Sequence, residues 1–415
     1  MTEMSDLSPV PDHVPAEAVH DFDMRADPGL LADPHARIAE LLREAGPLFW
    51  TPRNGGRWIA LGYPEVFEIA RDFERFTSTF MPKAQMEAML AMMPRDMPRI
   101  PRVTPISIDP PEHGLYRAPL QKAFSPRAAM ARQAEVRALC DELIDRVIDQ
   151  GHCDFIPAIA EPLPVTVFLR LMGLPVERLG EFRDLVHEFL ASSASANPMV
   201  SAMMMRKVAD AMLPDLLARR DAPRDDLISE LWSIEVDGQP MSLDLMEDYA
   251  VLLFVAGLDT VINGMGFAVR HLALNPALQD ELRADPSRIP QAVEEILRRY
   301  SFALPMRRVA KDTELAGRRL KENDWIVLHY AGAGLDGRQF PDPEKVDIDR
   351  ADNVHIAFGA GPHRCLGAHL ARVELQVLYQ QMLARLPTWR LDPDHPPRFH
   401  SGNIIAVDSL PIRWD

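Results

Sequence analysis

At 415 residues, 47% hydrophobic and 26% charged, the chain carries enough apolar material for a large core, and disorder is not expected beyond its ends. A formal net charge of −16 argues against a general nucleic-acid or anionic-membrane binder, since both favour basic surfaces, but leaves room for a local basic docking patch. Three cysteines, Cys140, Cys153 and Cys365, are too few for a disulfide framework. No run reaches the roughly 18 uninterrupted apolar residues of a membrane span, and the stretch from Met1 to Pro15 lacks the apolar core of a signal peptide, so a cytoplasmic location is expected.

In chain order, apolar residues at three- and four-residue spacing predict a helix over 34–45, and a strand-like stretch follows at 58–61. From Phe80 to Pro101 the chain is rich in methionine (Met81, Met86, Met89, Met92, Met93, Met97), which suits either a ligand-facing lid or an amphipathic cover over the core. A short strand is expected at 103–107 and a helix over 130–150; Met199 with Met203, Met204 and Met205 reads as a core-covering helix face. Long helical periodicity then runs over 243–274 and again over 290–300, before strands at 313–316 and 325–330. A last helix is predicted over 366–386 and a last strand at 404–408. The fold class is therefore mainly α with small β-sheets, and no repeat or linker marks a domain boundary.

Two places carry chemistry. In Phe358-Gly359-Ala360-Gly361-Pro362-His363-Arg364-Cys365-Leu366-Gly367, two glycines let a loop approach a flat ligand closely, and Cys365 falls just ahead of a helix N-terminus, where the dipole and free N–H groups favour a thiolate. Local chemistry leaves several readings open: a haem ligand, a buried structural thiol, a zinc ligand short of partners, or a nucleophile with a distant base. For Cys140 and Cys153 a small buried thiol is expected. Within the 243–274 helix, the apolar run meets Ala256-Gly257-Leu258-Asp259-Thr260. Gly257 costs about 1 kcal/mol against alanine in a helix interior, and Thr260 can turn its hydroxyl onto the Ala256 carbonyl and bend the helix. The acid beside the hydroxyl then offers a proton relay, against the plainer alternative of a capped kink.

The cysteine segment resembles the loop Phe-Gly-x-Gly-x-His-x-Cys-x-Gly of the cytochrome P-450 superfamily at every fixed position, and Ala-Gly-x-Asp-Thr resembles that superfamily's distal-helix acid–alcohol pair. The resemblance implies a helix-rich, triangular single domain enclosing haem b, here as a tail over 1–25 and a catalytic domain over 26–415. It implies Cys365 as the iron ligand, with Ala256, Phe358, Gly359 and Gly367 against the cofactor. Asp259 becomes the relay acid, and Thr260 the hydroxyl that makes reduced oxygen leave as water rather than peroxide. Asp109-Pro110-Pro111-Glu112-His113 with Arg117 resembles the propionate-binding helix start, so His113, Arg117, Arg307 and His363 are implied as propionate partners, while Arg308 is read as a surface charge. Glu295 and Arg298 match the superfamily's Glu-x-x-Arg structural ion pair, and Phe340-Pro341-Asp342-Pro343 the turn that completes it.

The resemblance covers nearly the whole chain and is closest to the soluble bacterial camphor hydroxylase group, through Val14-Pro15, Asp21-Phe22-Asp23-Met24, Asn54-Gly55-Gly56-Arg57-Trp58 and Leu410-Pro411-Ile412-Arg413-Trp414. It implies a monomer taking electrons from NADH through a flavin reductase and a 2Fe–2S ferredoxin, with Arg117 and Arg364 as docking candidates. Where camphor hydroxylases carry a substrate-binding tyrosine, this chain has Arg99-Ile100-Pro101-Arg102-Val103. The loss of that donor, about 0.5–1.5 kcal/mol net, makes camphor a poor fit. The pocket positions Met97, Leu252, Val255, Ala303, Leu304 and Ile404 point to a small apolar substrate such as a terpenoid or norisoprenoid, for instance an ionone. The competing hypotheses are a peroxygenase, which the intact Asp259–Thr260 pair disfavours, and a haem sensor or carrier, which has no need of a relay.

Overall fold

The protein is described by a computed structural model covering residues 7–81, 85, 98–193 and 198–415. Helices dominate, and their ends follow local chemistry. Asp33 accepts from the backbone N–H of Ala36 at 3.2 Å, Pro34 takes the first helical position, and the helix runs Pro34–Ala45 until Gly46. The expected 130–150 helix forms as Pro126–Ala131, Gln133–Asp145 and a 3-10 turn at Ile148–Gln150. The 290–300 and 366–386 patterns form Ile289–Arg299 and Ala368–Arg385.

Three expectations need correction. The 103–107 stretch is a turn, not a strand. Its polar groups are taken by Asp248, which accepts from Arg102 N at 2.8 Å and from the Thr104 hydroxyl at 3.2 Å, while Pro105 has no N–H to donate. The strand at Trp325–Leu328 stops early because His329 caps a short helix, Tyr330–Gly334, by accepting from Gly332 N at 3.2 Å. The 243–274 helix is two helices, Leu243–Gly257 and Asp259–Leu274, meeting at Leu258.

That break falls where two cores meet. Residues up to Leu258 belong to one buried cluster, and Ile262 onward to another. Leu370, on the helix that follows the cysteine loop, touches both. The two segments leading to Cys365 and Asp259 thus converge on one seam. By length and hydropathy, 243–274 could cross a membrane, but two thirds of its most apolar window is buried inside this fold, as suits a core helix.

The five-stranded sheet runs Leu48–Thr51, Arg57–Ala60, Trp325–Leu328, Met306–Val309, Phe76–Thr77 in spatial order. Residues 7–25 lie against it: Ser8 N donates to Pro52 O, Val19 bridges to Trp50, and Val14 and Phe22 are buried. A separate hairpin, Arg398–Ser401 with Ile405–Ser409, lies against the start of the Asp259–Leu274 helix, where Val407 N donates to the Asn263 side chain at 2.8 Å.

Candidate active site

The cysteine loop closes on itself through Cys365 N donating to Phe358 O at 2.8 Å. Gly359 (φ +74°) and Gly361 (φ +69°) take left-handed conformations, and a Cβ at Gly361 would lie 2.5 Å from the Ala70 carbonyl. Neither position accommodates another residue without strain. Arg372 lies over the Phe358 ring at 4.4 Å and pairs with Glu294 at 2.6 Å, holding the loop from its following helix.

Unlike the buried Cys140 and Cys153, Cys365 is exposed. Burial pushes its thiol pKa up; the Gly367 N–H and the charges of Arg117, Arg372 and Arg364 oppose that push. A cation bonded to sulfur would complete the stabilisation.

On the facing side, the Thr260 hydroxyl donates to Ala256 O at 3.0 Å across the helix break. Ala256 and Gly257 are exposed just after the buried run Met246–Phe254, and a Cβ at Gly257 would meet no atom within 4 Å. Asp259 accepts from Asn263 Nδ2 at 3.0 Å, and burial raises its pKa to about 6, opposed by His400 and the Asn263 bond. Arg183, another conceivable partner, pairs with Glu161 at 2.7 Å.

Near the cysteine loop, two cationic or donor groups lack anionic partners among the described residues. Arg307 is buried, donates to Met306 O at 2.9 Å, and has no ion pair with a carboxylate among the described residues. Burial pulls its pKa down, and Asp109 and Tyr330 only partly oppose this. His113 Nε2 is buried without a hydrogen-bond partner, its ring is 4.5 Å from that of His363, and burial lowers its pKa to about 4. His363 Nε2 sits 2.9 Å from Ser78 Oγ and 3.8 Å from Asp109. Arg117 donates to the Arg364 carbonyl at 2.6 Å. A buried guanidinium and a buried imidazole nitrogen, both short of acceptors, fit the two carboxylates of a haem. Ser78, Thr77 and Asp109 belong to this corner too; of these only Asp109 had a sequence signal, the Asp-Pro-Pro turn.

Arg308 corrects the surface expectation: it is buried, donating to Asn323 Oδ1 at 2.7 Å and to Thr79 O at 3.3 Å, because its strand is flanked on both sides. Among the apolar candidates, Ala303 and Ile404 form a bridge and are half-buried, as is Val255, while Leu252 and Leu304 are buried in the two cores. Met97 lies outside the described residues. A surface hollow of about 980 Å³ bounded by His152, Arg398 and Trp414 includes none of these groups.

Glu295 and Arg298 are 1% and 0% exposed and joined by two bonds of 2.7 and 2.9 Å. Arg298 also donates to the carbonyls of Gly334, Pro343 and Lys345, and Glu295 accepts from Asp347 N and Arg350.

The family model described as Cytochrome P450 matches residues 201–414. A curated relative, "Probable cytochrome P450 127A1" of Sinorhizobium fredii, is 32% identical across 99% of this chain and 100% of its own length. The chain belongs to the cytochrome P450 family. This P450 is also 33% identical to a "Steroid C26-monooxygenase" of Mycobacterium tuberculosis, over 94% of the chain and 96% of that protein. The P450 crystal structures of CYP101J2 and CYP101C1 superpose with TM-scores of 0.86 each, at 33% and 32% identity, covering 99% and 98% of this chain and 100% of each of theirs. The protein is thus a P450 monooxygenase of helix-rich P450 fold, with haem b as its cofactor.

Proposed function

We propose that this P450 hydroxylates a small apolar molecule, a terpenoid or norisoprenoid of the ionone type. The electrons come from NADH through a separate reductase and a 2Fe–2S ferredoxin, and the enzyme works as a cytoplasmic monomer. The observation that carries the reading is the Asp259–Thr260 pair at a helix break, one turn after the half-buried Val255; Ala303 and Ile404, bridged to each other, add half-buried apolar surface. Haem, when bound through Cys365, supplies the iron that activates dioxygen. His113, Arg117, Arg307 and His363 would hold its propionates. Thr260 directs its own proton to the Ala256 carbonyl, which leaves oxygen lone pairs free to accept a hydrogen bond from the open side. Asp259, with a pKa of about 6, lies close enough to neutrality to give a proton and regain it. Asn263 fixes its carboxyl orientation.

Replacing Thr260 by Ala is expected to preserve NADH-driven dioxygen uptake while raising the peroxide share of reduced oxygen about tenfold or more. Uptake that still ends in water would remove Thr260 from the relay. For the substrate, titration of the ferric protein with a terpenoid panel should give the strongest spin-state shift with ionone-like ketones. A strong shift with camphor, or none with any terpenoid, would overturn the substrate class.

A further inference from the structure

Asp259 needs a source of protons, and the structure removes the neighbours that the helix side would offer. Arg183 and His187 both engage Glu161, at 2.7 and 2.6 Å. The hairpin side is different. Asn263 is bonded to both: its Nδ2 donates to Asp259 at 3.0 Å and its Oδ1 accepts from Val407 N at 2.8 Å. In the hairpin, Phe399 pairs with Val407 and Arg398 with Ser409, so Asp408 is the extra residue of a bulge. Its carboxylate meets His400 Nδ1 at 2.5 Å. Both side chains are 42% exposed. The charged groups acting on His400 are Asp408 across the hairpin and Asp259 on the helix, and each favours the imidazolium; His400 in return favours the Asp259 carboxylate. A titratable group thus stands in contact with water, one strand pair from Val407, which Asn263 ties to the half-buried Asp259.

We propose that His400, oriented by Asp408, is the solvent-side proton donor that reloads Asp259. This rests on Asp259 acting as the relay acid. In the step, the imidazolium releases the proton of Nε2, through water, to the Asp259 carboxylate. The carboxylic acid and a neutral imidazole result, and the imidazole takes its next proton from bulk solvent. The Asp408 carboxylate keeps Nδ1 protonated throughout, so the transferring atom is the other nitrogen. Two features separate this from a structural pair. A hairpin clamp would serve equally well with any polar pair, and it would leave the titration of Asp259 unchanged.

The test uses the haem-loaded enzyme with a surrogate ferredoxin and reductase. One readout is the infrared carboxyl band of Asp259, identified by its loss in Asp259→Asn; the other is the solvent hydrogen isotope effect on dioxygen uptake. In His400→Gln the midpoint of the Asp259 band should move up by about half a pH unit or more, because a cationic neighbour is lost. Uptake should slow about fivefold with a larger isotope effect, and added imidazole should restore it. His400→Lys keeps the charge but cannot release a proton near neutral pH, so its band midpoint should stay low while uptake slows equally. The route is overturned if His400→Gln leaves the band unmoved, or if His400→Lys matches the unmodified enzyme in rate and isotope effect. Should Asp259→Asn itself leave uptake and isotope effect unchanged, the relay fails and the route with it. A defect in Asp259→Asn alone would sink the route and spare the relay.

Discussion

Cys365→His is expected to yield a haem-containing protein whose reduced, carbon monoxide-treated form lacks the strongly red-shifted Soret band of thiolate ligation and whose product formation falls to background. Haem retention and ligand identity separate because different residues serve them. Among the described residues Arg307 and His113 are buried short of anionic partners, and on the proposed reading they remain in the variant to hold the propionates. On the same reading the Cys365 sulfur would set the electronic push on which oxygen activation depends. The site has been prepared for a thiolate at some cost. Burial works against the anion, and one backbone N–H with three guanidinium groups works for it. An imidazole has no use for those four groups. A red-shifted band that survives in Cys365→His would show that another residue ligates the iron. Its absence in the folded, haem-loaded unmodified protein would do the same.

The second large effect is expected from Arg298→Ala, which should destabilise the fold by about 3–5 kcal/mol or more and lower haem content in parallel. The side chain is wholly buried, and its removal leaves Glu295 with Arg350 as its one cationic partner among the described residues, beside the Asp347 N–H. It also removes a donor from the carbonyls of Gly334 and Pro343, each a further penalty of about 1–3 kcal/mol where buried, and leaves Lys345 O with the Arg350 bond. Arg298→Lys should recover only a small part. An ammonium cannot reproduce the two-pronged bond to Glu295 and reach three carbonyls in different directions. Denaturant unfolding with haem absorbance followed in the same samples checks both. A loss under 1 kcal/mol would mean that the pair is dispensable for the support of the cysteine loop.

Much of the site was legible because its signals are local. The Cys365 loop needs glycines at fixed offsets, since only they adopt the left-handed turns that bring the backbone close to Ala70. The Thr260–Ala256 bond and the Glu295–Arg298 pair are one helical turn apart, so spacing places them on a common face. The helix periodicity at 34–45 and 290–300 survived almost to the residue, since each helix starts at a first-turn proline, Pro34 and Pro290, within the segment itself.

What local spacing could not show depends on partners far along the chain. Asp248 turned 103–107 away from a sheet, and Arg308 is interior because a distant loop and strand enclose it. Packing decided the charges around Asp259: Glu161 took Arg183, and a hairpin more than a hundred residues downstream brought His400 into its electrostatic neighbourhood. Sequence thus determined the family chemistry this protein carries, because the cysteine-loop, acid–alcohol and turn residues are written within single helical turns and loops. Tertiary structure decided which of its charges lack partners among the described residues and which titratable groups neighbour Asp259, because burial and electrostatic neighbourhood exist only once remote segments meet.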